Sequence, residues 1–267
     1  MRSALHPRFA RPAAASLLLA LLFGLGCGAS GLEKRRKGYE AFYSGDLPGA
    51  LEKLEKADRK KDRLLSALDR GVVLHTEGRA AESNEAFARA EEIVAETAVT
   101  DITDVAVSFL INDYSIEYKG EDFEKVLVHP FKALNYLALG EPSEALVECR
   151  ALNNKLVEIQ EKYETKSVYA EDAFARYLSG IIYESRGETG SALVDYRLAE
   201  SAFEKHGEAY GVPFPASLRE GLVRLAEEER QADLAARYRE KWPDAGGAPY
   251  GERREGGEIV LVLENGP

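Results

Sequence analysis

The sequence predicts an all-α protein, a solenoid of about four to five helical hairpins followed by a short C-terminal β-strand. Three observations carry that expectation. A five-position series of small and large apolar residues recurs at intervals of 7, 5, 4 and 3 residues. It appears as Gly38, Gly45, Ala50, Leu54 and Ala57, as Gly71, Gly78, Ser83, Phe87 and Ala90, and as Gly180, Gly187, Ala192, Tyr196 and Ala199. A looser copy runs Ala133, Gly140, Ala145, Cys149 and Leu152. Prolines stand just behind the second glycine, in Asp46-Leu47-Pro48 and Glu141-Pro142-Ser143. Finally, 267 residues with 45% hydrophobic and 30% charged content suffice for a sizeable core, and they exclude collagen, low-complexity disorder and a polytopic membrane protein.

The spacing has a physical reading. The first small residue lets a second helix come close. The second glycine ends the first helix, because it enters the left-handed conformation at little cost. Proline fits the first turn of the next helix, where its missing N–H has no intrahelical partner. The small residue five positions on makes another close contact, and the large residue four further packs one turn along the same face. Two antiparallel helices joined by a tight turn result, and their recurrence resembles the tetratricopeptide repeat. Cys149 falls on an inward-facing position of this pattern and reads as a small core residue rather than a reactive thiol.

In chain order, Arg2, Arg8 and Arg11 precede an almost wholly apolar run from Ala13 to Leu25, a secretory signal pattern too short to span a membrane. Residues 1–26 are therefore expected to be a signal peptide. The segment Phe23-Gly24-Leu25-Gly26-Cys27 resembles a bacterial lipobox, which makes Cys27 the expected lipidation site, with diacylglycerol on its thiol and an acyl chain such as palmitate on its amine. Gly28, rather than Asp, follows the cysteine, so the expected address is the outer membrane, facing the periplasm.

The helical domain is expected over residues 27–243. Intervals of 33, 62 and 47 residues separate Gly38, Gly71, Ala133 and Gly180. They imply an insertion from Val99 to Gly120, with an apolar stretch from Asp101 to Ile111 and then a polar loop, and one long helix from about Ser143 to Glu164. A degenerate fifth hairpin spans Pro215 to Trp242 and is stopped by Pro243. Residues 244–257, with five glycines, read as a linker. Glu258 to Leu263 gives a lone strand signal, so residues 258–267 are expected to be a C-terminal strand, the start of a small β domain cut short here.

The formal net charge is −11, which argues against a nucleic-acid partner, since phosphate neutralisation needs a basic face. Removing residues 1–26 takes away three arginines and no acid, leaving −14. So acidic a chain is repelled by anionic lipid, and acyl chains must supply the membrane anchor.

The middle of the chain is more specific. Tyr118-Lys119-Gly120-Glu121-Asp122-Phe123-Glu124 is followed by Ala133-Leu134-Asn135-Tyr136-Leu137 and then Val147-Glu148-Cys149-Arg150-Ala151-Leu152-Asn153. This series resembles a largely uncharacterised family of bacterial envelope lipoproteins with tetratricopeptide-like repeats, strongly over about Asn112 to Asn154 and loosely over the flanking repeats. Ala151 stands where that family usually has a second arginine, so a paired-arginine anion site does not carry over. The resemblance implies a role in cell-envelope assembly or maintenance.

No catalytic constellation stands out. There is no P-loop, no zinc-protease pair beyond His75-Thr76-Glu77, no Gly-x-Ser-x-Gly elbow and no EF-hand glycine in Asn112 to Glu117. The expectation is a non-enzyme without cofactor or metal. Its leading reading is an outer-membrane-anchored scaffold that binds envelope proteins through its helical repeats, since solenoids offer extended binding surfaces. The alternative is a peptidoglycan, glycan or peptide binder using the Tyr118–Arg150 region. The residues singled out for recognition are Tyr118, Glu121, Glu124, Asn135, Glu148, Arg150 and Asn153. The same residues also fit a structural role, with Tyr118 and Phe123 as core anchors and Glu124, Asn135 and Arg150 in a hydrogen-bond network.

Overall fold

The structure is a computed structural model and describes residues 26–104, 117–162 and 172–245. The described residues form ten α-helices and one 3-10 turn, with no strand among them. The expected signal peptide (before residue 26) and C-terminal strand (258–263) lie outside the described residues. Among the described residues no helix is long and apolar enough to cross a membrane. The chain divides into two compact units, residues 1–120 and 121–267.

The first unit holds two hairpins. Helices α1 (Gly26–Tyr43) and α2 (Leu47–Glu55) form one, and after a 3-10 turn at Lys60–Asp62, α3 (Arg63–Thr76) and α4 (Ala80–Asp104) form the other. Helix α4 runs into the expected insertion, of which residues 105–116 lie outside the described residues. Asp46 caps α2 by accepting a hydrogen bond from the Gly49 N–H at 3.0 Å, and Pro48 sits in the first turn, as the spacing predicts. Gly71 lies so close to Phe87 that a Cβ on it would stand 2.5 Å from the ring. Ser83 takes the place that alanine holds in the other copies, and its hydroxyl donates to the Gly71 carbonyl at 2.8 Å. Between α1 and α3, the buried Arg35 pairs with Asp69 and also donates to Ser66 at 3.0 Å.

The second unit holds three hairpins: α5 (Asp122–Ala138) with α6 (Pro142–Lys162), α7 (Ala173–Ser185) with α8 (Thr189–Tyr210), and α9 (Ala216–Glu228) with α10 (Ala232–Lys241). The long sixth helix and the fifth hairpin fall where the sequence places them. The partners within α6 differ from the expected Glu158–Lys162 pair: Lys155 takes Glu158 at 2.7 Å, and Lys162 reaches Asp122 on α5 at 2.9 Å. The core runs from Ala133 and Cys149 through Leu178, Ile182, Leu193 and Tyr196 to Leu218, Leu222 and Tyr238. Tyr196 is the wedge of this core. It lies against Gly180 on one side and Gly221 on the other, where a Cβ would stand 2.7 Å from its ring. Even alanine at either glycine would force the ring to move.

The five hairpin turns share one hydrogen-bond pattern, in which the turn residue's N–H bonds three residues back and the next N–H bonds five back. Four turns use glycine with φ between 75° and 83°. The fifth uses Arg230, at φ 57°, which is why the glycine pattern misses this hairpin. A left-handed backbone costs an L-residue roughly 1–2 kcal/mol, and the extra freedom of glycine in the unfolded chain returns part of that. Arg230→Gly should therefore raise stability by about 0.5–1 kcal/mol. Thermal unfolding would show it as a midpoint higher by about 1–3 °C; an unchanged or lower midpoint would mean that the Arg230 side chain holds the turn.

Candidate functional site

The residues singled out from sequence fall in both units. Tyr118 belongs to the first unit. It packs against Leu64, Ala67, Ala90 and Ile93, and its N–H bonds the Lys61 carbonyl at 2.9 Å. The core-anchor reading therefore holds for Tyr118. It does not hold for Phe123, in the first turn of α5, which is 49% exposed. Glu121 and Glu124 close the N-terminus of α5, the Glu124 carboxylate accepting the Glu121 N–H at 2.8 Å. Asn135 is buried, and its carbonyl accepts the Leu139 N–H at 2.9 Å. Arg150 is exposed, so the network expected around it is not built on its side chain.

Glu148 and Asn153 do lead to buried polar clusters, and the rest of each cluster was not visible in the sequence. Glu148 is buried between two side chains of α5: Lys132 reaches it at 2.7 Å, and His129 Nδ1 lies 2.8 Å from its other oxygen. Burial alone would push the Glu148 carboxyl up, but the hydrogen bonds from His129 and Lys132 outweigh it and hold the pKa below the usual carboxylate value. Asp195 on α8 is buried likewise. It accepts hydrogen bonds from the Ser179 hydroxyl and from Asn153 Nδ2 at 3.2 Å, and lies 3.5 Å from Arg176 of α7. Arg176 in turn donates to Asn153 Oδ1 at 2.5 Å.

These clusters occupy the same repeat positions. Counting from the first small residue of each hairpin (Ala133 and Gly180), a base stands four residues before it, at His129 and Arg176. A second donor stands one residue before it, at Lys132 and Ser179, and the acid stands fifteen after, at Glu148 and Asp195. The helical turn between the two donors puts both on one face of the first helix, and the acid on the returning helix slots between them. The structure thus assigns a carboxylate clasp to two successive hairpins. The corresponding positions of the first hairpin are all lysine (Lys34, Lys37 and Lys53), and those of the second are Ala67, Arg70 and Ala86, so neither can form the clasp. The signal that could have found it is a charged residue next to each small core position, which the apolar series passes over.

A small cavity lies between the clasps, bordered by His129, Glu148, Cys149 and Ser179, with room for one water-sized sphere, about 10 Å³. Cys149 is 2% exposed, and burial pushes its thiol up to about 12 despite the Ser179 hydroxyl beside it. Its core reading stands, and it makes a poor nucleophile. With Cys27 changed to Ala, the folded chain should react with a disulfide reagent at pH 8 only at the rate of unfolding, and at once in denaturant. Rapid labelling of the folded chain would show that the cavity opens to solvent.

Two solved structures share this architecture. RapI, in its apo form, aligns with a TM-score of 0.55 over 79% of this chain and 68% of its own, at 17% identity. A kinesin light chain from Podosopora anserina, with nearly identical TPR-like repeats, aligns with a TM-score of 0.51 over 82% of this chain and 96% of its own, at 14% identity. No protein-family model matches the chain, and no curated protein matches it either. The fold is that of tetratricopeptide-like repeats.

Proposed function

We propose that this chain is an envelope lipoprotein, anchored in the outer membrane through acylated Cys27 and facing the periplasm, whose helical repeats hold another envelope protein. The single observation that carries the reading is the joining of two features: a lipobox-like cysteine closing a signal pattern, and directly behind it a run of hairpins in a tetratricopeptide-like fold. The resemblance of the Tyr118–Asn153 series to envelope lipoproteins supports the same address. The work done by this molecule is binding rather than catalysis. Among the described residues, its conspicuous buried charges are engaged with one another, in the two clasps and in the Arg35–Asp69 pair.

The anchor is tested by feeding cells a labelled fatty acid. Label should enter the protein, and Cys27→Ala should abolish it and release the chain to the soluble periplasmic fraction. A Cys27→Ala protein that still sediments with outer membrane after salt washing would end the anchoring half. The scaffold half is tested by crosslinking in intact cells, where one defined envelope protein should be captured. Capture of no specific protein from an expressed, folded chain would end it.

A further inference from the structure

Charge is unevenly distributed along the mature chain. Residues 27–63 carry ten Lys and Arg against seven Asp and Glu, whereas residues 64–267 carry 22 against 39. A net +3 at the N-terminal end is thus succeeded by −17. The hairpin brings part of that positive charge to one place. Helix α1 leads away from Cys27, α2 returns antiparallel to it, and the Arg59-Lys60-Lys61 corner comes back to the start of α1. Arg59 lies directly on α1 at Gly31, its guanidinium filling the space a Cβ there would need. Position 27 stands about one turn before Gly31 in the same helix, and Lys34 about one turn after it.

Several cations of this end are paired: Lys37 with Glu33, Lys53 with Asp46 and Lys56 with Glu52. Arg35 is paired with Asp69 in the interior, Arg36 is held by Glu33 and Glu40, and Arg63 by Glu96 and Glu117. Lys34 and Lys60 are exposed and form no ion pair with any described residue. Although Glu33, Asp58 and Asp62 stand nearby in sequence, exposed cations in no ion pair beside the anchor position have a counter-ion in the headgroups around the lipid.

We propose that the corner formed by Lys34, Arg59 and Lys60 is a contact surface for an anionic lipid bilayer, seated beside the anchor at Cys27. The proposal deepens the anchored reading and rests on it for the placement of Cys27. Screening limits such attraction to charges within about 8–10 Å of the surface, so the −14 of the whole mature chain does not decide the matter. An anionic membrane attracts residues 27–63 and repels residues 64–267, which sets the anchored chain down on its basic corner. Acyl chains hold the protein to the bilayer; the corner orients it.

The test uses the mature chain carrying Cys27→Ala, with no lipid of its own, and vesicles of phosphatidylcholine with or without phosphatidylglycerol. Binding should be detectable only on the phosphatidylglycerol vesicles. Lys34→Gln with Lys60→Gln should weaken it about 25-fold, at roughly fivefold per lysine near an anionic surface. Lys205→Gln, an exposed lysine of the second unit, should leave it unchanged. Equal binding to both vesicles, an undiminished double variant, or an equal loss from Lys205→Gln would each overturn the proposal. The variant residues are on the surface, and matching thermal midpoints would show that the fold is intact. Failure of the anchor is read separately, as absence of fatty acid on Cys27 in cells, whatever the vesicles show.

Discussion

Asp195→Ala should destabilise the protein by about 3–5 kcal/mol, because it strands a buried guanidinium. Asp195 is 3% exposed and Arg176 7%, so water reaches neither. Removing the carboxylate takes away the acceptor for the Ser179 hydroxyl and Asn153 Nδ2, and removes the negative charge that faces Arg176, which keeps its bond to the amide oxygen of Asn153. The cost comes mainly from the uncompensated charge, not from the lost attraction. That distinction yields a second expectation. Replacing both partners with apolar residues, Asp195→Leu with Arg176→Met, should cost less than Asp195→Ala by itself, since no charge is then left buried. Denaturant midpoints of the three proteins decide it. If Asp195→Ala loses under about 1 kcal/mol, the cluster is hydrated and the clasp is no structural unit. If the double variant is worse than Asp195→Ala, shape rather than charge governs the site.

Much of the fold is legible in the sequence because a hairpin needs particular residues at a few points. The left-handed turn selects Gly45, Gly78, Gly140 and Gly187, and the closest helix contacts select Gly38, Gly71 and Gly180. Each of these is a steric demand that almost one residue type alone meets, so the spacing survives in the sequence. Arg230 marks the limit of this logic. The turn can be made by another residue at modest cost, and then the hairpin loses its signature while keeping its hydrogen bonds. Phe123 marks another limit, since an aromatic residue beside an apolar helix face looks internal until the helix direction is known.

The clasps are illegible for a different reason. A buried ion pair is made by residues far apart in sequence, here 19 positions from Arg176 to Asp195, and charged residues on helices are normally solvent-facing. Glu148 and Asn153 stand out only through their neighbours in the family-like series, without their partners. Only the repeat frame, laid over the structure, shows that Glu148 and Asp195 hold one position in successive hairpins. The same frame explains why the N-terminal hairpin can spare a cation for another purpose. Lys34, Lys37 and Lys53 stand at its clasp positions with no acid among them; Lys37 and Lys53 turn to Glu33 and Asp46, and Lys34 is the one left exposed with no ion pair to a described residue.

The equivalent change in the third hairpin adds a pH axis. Glu148→Ala should also cost about 3–5 kcal/mol near neutral pH, since Lys132 is left 8% exposed beside an absent carboxylate. Glu148→Gln should cost less, because the amide oxygen can still accept from Lys132 and the side chain keeps its shape. Acid separates the two further. The Glu148 carboxyl is held below its ordinary value of 4.5, so the folded state binds the proton less readily than the unfolded state does. The stability it contributes is complete above the unfolded value and is lost as pH falls through the lower, folded one. The wild type should therefore lose more stability than Glu148→Gln as the pH is taken down from neutral, and the gap between them should close in acid. Other carboxylates, such as Glu33 and Glu82 in their surface pairs, titrate in both proteins and cancel from the difference. Unfolding curves of the two proteins over a series of pH values measure that gap directly. A gap that stays constant into acid would mean that Glu148 keeps its charge no better folded than unfolded, and a gap that widens would mean that it is held protonated in the fold. Either result would remove the charge from the clasp.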